Sequence, residues 1–177
     1  MLQTMLETEP IMTLLSLLSR LMTNLDTTHL KAGDLAPNFG VPDQDGNLIQ
    51  LADYKGQKLV LFFYPRDNTP GCTAEVCNLR DNIGLLKKQG YKILGVSADS
   101  QRKHKNFISK FGLPFPLLSD TDRTMINAYG VWGRKKFMGR EFEGILRTTF
   151  LIDDGVIEEV ITRVKTKDHS QQILSHT

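Results

Sequence analysis

Residues 59–77 read LVLFFYPRDNTPGCTAEVC. The first six positions form an unbroken apolar run, the pattern of a strand buried on both faces of a sheet. A helix is predicted over residues 73–89, because Val76, Leu79, Ile83 and Leu86 recur at spacings of three and four and Gly90 stops the run. Cys72 therefore stands where a buried strand has ended and a helix begins. The unpaired N–H groups of a first helical turn, with the helix dipole behind them, favour an anion there, so the position suits a thiolate. Helical projection puts Cys72 in line with the apolar stripe, which predicts a recessed sulfur.

On either side of this segment, short apolar runs alternate with amphipathic stretches and glycine-containing turns separate them. That pattern predicts an α/β domain, a mixed sheet with covering helices. Residues 39–51 read as a hairpin turning at Asp45 and Gly46, residues 93–96 as a second buried strand and residues 116–119 as a short third. Ser100 is placed to cap a helix carrying Phe107, Ile108 and Phe111 and ending at Gly112. Asp122 is placed to cap another through Met125, Ala128 and Tyr129. Residues 148–152 and 156–161 pair as a hairpin around Asp154 and Gly155, and a last helix contains Ile173 and Leu174. The basic cluster Arg134, Lys135, Lys136 and Arg140 reads as a solvated loop.

A chain of 177 residues supports one domain with a full core rather than two. Its hydrophobic fraction of 40% and charged fraction of 24% are those of a soluble globular protein, and a net charge of +2 implies no nucleic-acid or membrane partner. The domain is assigned to residues 30–177, and residues 1–29 to an N-terminal extension. In that extension Ile11, Leu14, Leu15, Leu18 and Leu21 recur at helical spacing after Pro10. Glu7 and Glu9 precede the apolar part, where a secretory signal carries positive charge, and Arg20 ends it well short of a membrane span. An appended segment, with Met22 as an alternative initiator, accounts for it; a partner-docking helix is the other reading.

Two cysteines, Cys72 and Cys77, are too few for a disulfide-stapled secreted domain and indicate a reducing compartment, the cytoplasm. They are free to be simple space-fillers. Zinc would need more ligands at metal spacing, whereas His29, His104, His169 and His176 are scattered, and a thioredoxin-like reductase carries C-x-x-C rather than this C-x4-C. Five residues of helix separate two Cα atoms by roughly 8–9 Å, beyond the roughly 7 Å reach of a disulfide. A bond between these two cysteines therefore requires the helix to open.

Around Cys72 the chain resembles the peroxiredoxins, and among them the bacterioferritin-comigratory or Q-type group. Pro65, Thr69 and Cys72 fill the pattern P-x-x-x-T/S-x-x-C, and LKAGDLAPNF (residues 30–39), LLSD (117–120), YGVWG (129–133) and FMGREFEGILRTTFLID (137–153) extend the likeness to the C-terminus. The resemblance implies a thioredoxin-like fold with an added N-terminal hairpin, no cofactor and no metal. It makes Cys72 the cysteine that attacks a hydroperoxide and Cys77 the one that resolves the sulfenic acid as an intramolecular disulfide. Thr69 then donates and accepts hydrogen bonds at the peroxide oxygens, Arg147 stabilises the thiolate and the charge growing on the leaving oxygen, Pro65 shapes and shields the pocket, and Glu75 holds Arg147. Thioredoxin, or glutaredoxin in its place, is the implied reductant, and an intrachain resolving cysteine removes any need for more than a monomer. Arg66 stands where a lysine is common, and nothing before Leu30 has a counterpart. A redox-controlled binding protein and a disulfide reductase are the alternatives, against which rapid peroxide turnover with thioredoxin and the pocket residues Thr69 and Arg147 respectively argue.

Overall fold

The computed structural model describes residues 27–176. The expected helix at residues 11–21 lies outside them. A five-stranded sheet forms the centre, in the order β5 (Leu117–Ser119), β4 (Tyr91–Ser97), β3 (Lys58–Phe63), β8 (Thr148–Asp153) and β9 (Val156–Ile161). Its middle strand β3 runs parallel to β4, which in turn is parallel to β5. On the other side β3 is antiparallel to β8, followed by β9. This is the mixed sheet with covering helices that the sequence predicts.

The apolar run divides by pleat. Leu59, Leu61 and Phe63 point into one core with Leu94, Val96, Phe150 and Ile152. Val60, Phe62 and Tyr64 point into the other, with Val76, Leu79, Leu86, Leu117 and Cys72. Strict alternation into two cores requires both faces of β3 to be apolar, which is why no polar residue interrupts it.

The other elements are the hairpin β1 (Gly40–Pro42) and β2 (Leu48–Gln50), a 3-10 turn at Leu51–Tyr54, and the helices α1 (Pro70–Asp81), α2 (Ile83–Lys88), α3 (Gln101–Phe111), α4 (Thr124–Ala128) and α5 (His169–Leu174). A further hairpin joins β6 (Trp132–Phe137) to β7 (Arg140–Ile145). In the first hairpin the Asp43 carboxylate accepts from the N–H groups of Asp45 and Asn47, at 2.8 and 2.9 Å. Residues just before position 30 also touch the domain: Thr28 Oγ1 donates to the Tyr129 carbonyl at 2.5 Å.

Three expectations need correction. The helix predicted over residues 73–89 begins at Pro70 and is interrupted at Asn82, whose φ of −110° and ψ of 15° depart from helical values; its side chain donates to the Asn78 carbonyl at 2.9 Å. The basic cluster is a two-stranded ribbon rather than a loop, and its turn residues Met138 and Gly139 both adopt positive φ, as a tight hairpin demands. The residue before α4 is Arg123, in a left-handed conformation, while Asp122 accepts the Thr124 N–H from one position further out, at 3.0 Å. Ser100 caps α3 as expected, through the Lys103 N–H, and Gly112 ends it with a φ of 61°.

Candidate active site

The site is built at the junction of β3 and α1. Tyr64, just past the strand, donates through its hydroxyl to Asp67 Oδ1 at 2.6 Å. The other oxygen of Asp67 lies 2.7 Å from His104 Nδ1 on α3, and the Asp67 N–H donates to Asp99 Oδ2 at 2.9 Å. His104 Nε2 reaches the Leu118 carbonyl of β5 at 3.1 Å, and all these side chains are buried. This network holds the turn between strand and helix against two elements and leaves Asn68 at a positive φ of 59°. Neither Asp67 nor His104 carries a local signature in the sequence, because the contact between them spans 37 residues.

Thr69 follows in extended conformation as the N-cap residue, with Pro70 at the first helical position. Its hydroxyl donates to the Arg66 carbonyl at 3.0 Å, and its carbonyl accepts the first helical bond, from Thr73. Pro65 is half-buried at the entrance to this turn. Cys72 lies in the first turn of α1 with no exposed surface, as the helical projection predicts.

Arg147, just ahead of β8, brings the remaining residues together. Its Nη2 donates to Cys72 Sγ at 3.2 Å and its Nη1 donates to Glu75 Oε2. A side chain at Gly71 would place its Cβ 3.3 Å from Nη2, so glycine there lets the guanidinium come close to the sulfur. Burial opposes the charge of Arg147, but Glu75 and Cys72 outweigh it and hold its pKa above the ordinary value. Lys135 of β6, taken from sequence as part of a solvated loop, is half-buried, and its ammonium donates to the Ile145 carbonyl at 2.9 Å. Burial first, and then the Arg147 charge, lower its pKa, while Cys72 opposes them.

Cys77 lies half-buried on α1 beside the second core, and both cysteines are free thiols. Thus Cys72, Glu75 and Arg147 are in direct contact, Thr69 and Pro65 frame the turn, and Cys77 shares the helix. Sequence reasoning missed His169, at the start of α5, and Thr149 of β8. Both are fully buried, with Thr149 Oγ1 3.0 Å from His169 Nε2, and His169 Nε2 is 3.6 Å from Glu75 Oε1. Among the described residues no group of three or more His, Cys, Asp or Glu is arranged to hold a metal ion, and no helix is long and apolar enough to cross a membrane.

Burial pushes Glu75 up to about 7, against the opposing pull of Arg147, and pushes His169 down to about 4. The two have opposite consequences for stability. Between pH ~4.5 and ~7 the folded chain keeps the Glu75 proton that the unfolded chain has released, so this group makes stability fall as pH rises. Between pH ~4 and ~6.5 the unfolded chain binds a proton at His169 that the folded chain refuses, so that group makes stability rise with pH. In the wild type the two contributions offset each other. Glu75→Gln is expected to expose the His169 part, increasing the stability gained from pH 5 to pH 7 by roughly 2 kcal/mol relative to wild type. Urea unfolding at the two pH values measures it, and identical pH profiles for both proteins would contradict it.

A family model described as the AhpC/TSA family matches residues 32–160. The chain belongs to the AhpC/TSA family. Peroxiredoxin Bcp of Escherichia coli is 49% identical to this peroxiredoxin over 147 residues, covering 82% of this chain and 94% of that protein. A putative peroxiredoxin of Coxiella burnetii is 45% identical over 146 residues, covering 82% and 97%. Among solved structures, a mutant of Xylella fastidiosa PrxQ superposes with a TM-score of 0.78 at 34% identity, covering 84% of this chain and 95% of that one. Peroxiredoxin Q of Xanthomonas campestris does so with a TM-score of 0.72 at 37% identity, covering 77% and 87%. The fold is therefore the thioredoxin-like fold of Bcp and Q-type peroxiredoxins, and the protein is a peroxidase, an oxidoreductase. Hydroperoxide and a thiol reductant are the reactants of this family.

Proposed function

We propose that this peroxiredoxin reduces hydrogen peroxide and organic hydroperoxides through Cys72, resolves the product with Cys77 and is recycled by thioredoxin. The observation that carries the reading is the Arg147 guanidinium, with one nitrogen 3.2 Å from Cys72 Sγ and another on buried Glu75. The Cys72 thiolate attacks one peroxide oxygen: an S–O bond forms, the O–O bond breaks, and the departing alkoxide or hydroxide takes a proton to leave as alcohol or water. Arg147 lies beside the charge that grows in that step and is already fixed, so little reorganisation is needed. Thr69, at the helix start, is assigned the hydrogen bonds to the peroxide oxygens, and Pro65 shields the sulfur.

The Cys77 thiolate then attacks the Cys72 sulfenic acid, forming the disulfide and releasing water after proton uptake. Both cysteines lie within the single helix α1, so its first turns must unwind for the sulfurs to meet. That opening breaks the Asn78 side-chain bonds to the Lys167 carbonyl and the Ser170 N–H, at 3.0 and 2.7 Å. The interruption at Asn82 confines the unwinding to α1 and leaves α2 in place. A dithiol then reduces the disulfide by exchange. The catalytic domain is assigned to residues 30–177, with residues 1–29 an extension, working as a cytoplasmic monomer.

Consumption of NADPH by thioredoxin reductase, thioredoxin and this protein tests the reading with hydrogen peroxide and cumene hydroperoxide. Sustained turnover that depends on thioredoxin is expected. Sustained turnover with glutaredoxin and none with thioredoxin would move the reductant assignment, and none with any dithiol would overturn the recycling step.

A further inference from the structure

His169 takes no part in the chemistry described so far, yet it is fully buried directly behind Glu75. Its surroundings fix its hydrogen-bonding state. Gln172 is oriented by two backbone contacts: its Oε1 accepts the Lys165 N–H at 3.0 Å and its Nε2 donates to the Arg163 carbonyl at 2.9 Å. Oε1 therefore faces His169 Nδ1, at 3.4 Å, and marks that nitrogen as the N–H donor. Nε2 is left as the bare nitrogen, in reach of the Thr149 hydroxyl at 3.0 Å. A neutral ring of this tautomer agrees with the downward pKa shift that burial imposes.

Glu75 faces this nitrogen with an oxygen that has no other partner. Oε2 is held by Arg147, while Oε1 is buried with no hydrogen bond and lies 3.6 Å from His169 Nε2. A buried carboxylate oxygen left without a donor is costly. One proton between Oε1 and Nε2, with the 3.6 Å gap closed to hydrogen-bond length, would remove the defect: a protonated Glu75 would donate to the imidazole, or a protonated imidazole to Glu75. The charged group that acts on both members of the pair is Arg147, ahead of β8.

We infer that His169 is a positioning residue for peroxide reduction, holding Glu75 by a shared proton so that Glu75 in turn aims Arg147 at Cys72. The inference rests on Cys72 being the reacting thiol. It adds a fourth member, supplied by the C-terminal helix, to the chain formed by Cys72, Arg147 and Glu75. Helix α5 thereby becomes part of the active site.

The test compares wild type, His169→Phe, His169→Gln and Thr149→Val for the single-turnover rate of Cys72 oxidation by hydrogen peroxide. The pH dependence of ultraviolet thiolate absorbance, read on Cys77→Ser backgrounds without peroxide, and the melting temperature are recorded for each. His169→Phe is expected to slow oxidation by roughly 10-fold and to move thiolate formation to higher pH, because a guanidinium aimed about an ångström away loses much of its effect. His169→Gln, which keeps a donor and an acceptor, restores the rate to within about 3-fold. Thr149→Val, which retains the imidazole and removes the hydroxyl that competes with Glu75 for the Nε2 lone pair, is expected to keep the rate within about 3-fold of wild type, and His169→Leu stands in if His169→Phe does not fold. In a Glu75→Gln background the His169 substitutions have no further effect, as serial action requires.

A fall in melting temperature with an unchanged rate and thiolate profile would make His169 structural and overturn the inference. A rate loss that persists at full size in Glu75→Gln would overturn it as well. A wild type that peroxide leaves unoxidised would refute the role of Cys72, while the thiolate profile would still decide whether His169 acts on that sulfur.

Discussion

Cys72→Ser is expected to lose peroxide consumption to the background rate, a drop of roughly 10³-fold or more, while Cys77→Ser consumes one equivalent and stops. A serine hydroxyl is not ionised at neutral pH, and neither the helix start nor Arg147 can make it a comparable nucleophile towards an O–O bond. Cys77→Ser keeps the buried sulfur, Arg147 and Glu75 untouched, since Cys77 touches none of them through any hydrogen bond among the described residues. Its first turnover should therefore run at close to the wild-type rate. With no second thiol, the sulfenic acid then persists. Hydrogen exchange across residues 70–81 separates the two states further: protection is lost when wild type is oxidised and kept when Cys77→Ser is oxidised, because only the disulfide forces α1 open. Cys77→Ser turning over repeatedly with thioredoxin would show that another group resolves Cys72.

Arg147→Ala is expected to slow oxidation of Cys72 by about 10²–10³-fold, the range found when one preorganised donor is removed from a site where charge develops. The loss has two parts. The guanidinium no longer meets the sulfur and the leaving oxygen, and Glu75 is left buried without its cation, which raises its affinity for a proton further. Arg147→Lys should recover only a fraction, since the three N–H groups of an ammonium share one nitrogen on a flexible stem and do not reproduce the planar fork whose Nη1 and Nη2 meet carboxylate and sulfur separately. Stopped-flow fluorescence or competition for peroxide measures both variants. An Arg147→Ala rate within about 3-fold of wild type would remove the guanidinium from the reaction.

The parts of the site legible in sequence were those written locally. The apolar run at residues 59–64 implies two covering layers, and the position of Cys72 just past it implies a helix start; both follow from neighbours a few residues away. Helix α1 was less clear at its far end, because the stripe Val76, Leu79, Ile83 and Leu86 continues in phase across Asn82 while the backbone does not. The β6–β7 ribbon gave no periodic signal, since its strands are largely exposed and charged residues occupy both faces. Lys135 consequently looked like one of several surface charges, and only the pairing of β6 with β7 shows that it leans in towards Ile145.

Arg147 and Glu75 could be named from the family pattern, but their contact spans 72 residues and exists only through the fold. His169 and Thr149 had neither a local motif nor a pattern to mark them. A histidine at the start of a short C-terminal helix looks like any surface residue until α5 docks on α1 through Asn78. The same holds for the Tyr64, Asp67 and His104 network, whose members come from a strand end, a turn and a helix.

The pairing of Cys72 with Cys77 is tested by treating the reduced protein with one equivalent of hydrogen peroxide, blocking free thiols by alkylation at acid pH, and mapping the cysteines by peptide mass spectrometry. A single intrachain link between Cys72 and Cys77 is expected, with no free thiol remaining on either. Peroxide consumed while both cysteines stay alkylatable, or disulfides found only between chains, would contradict it.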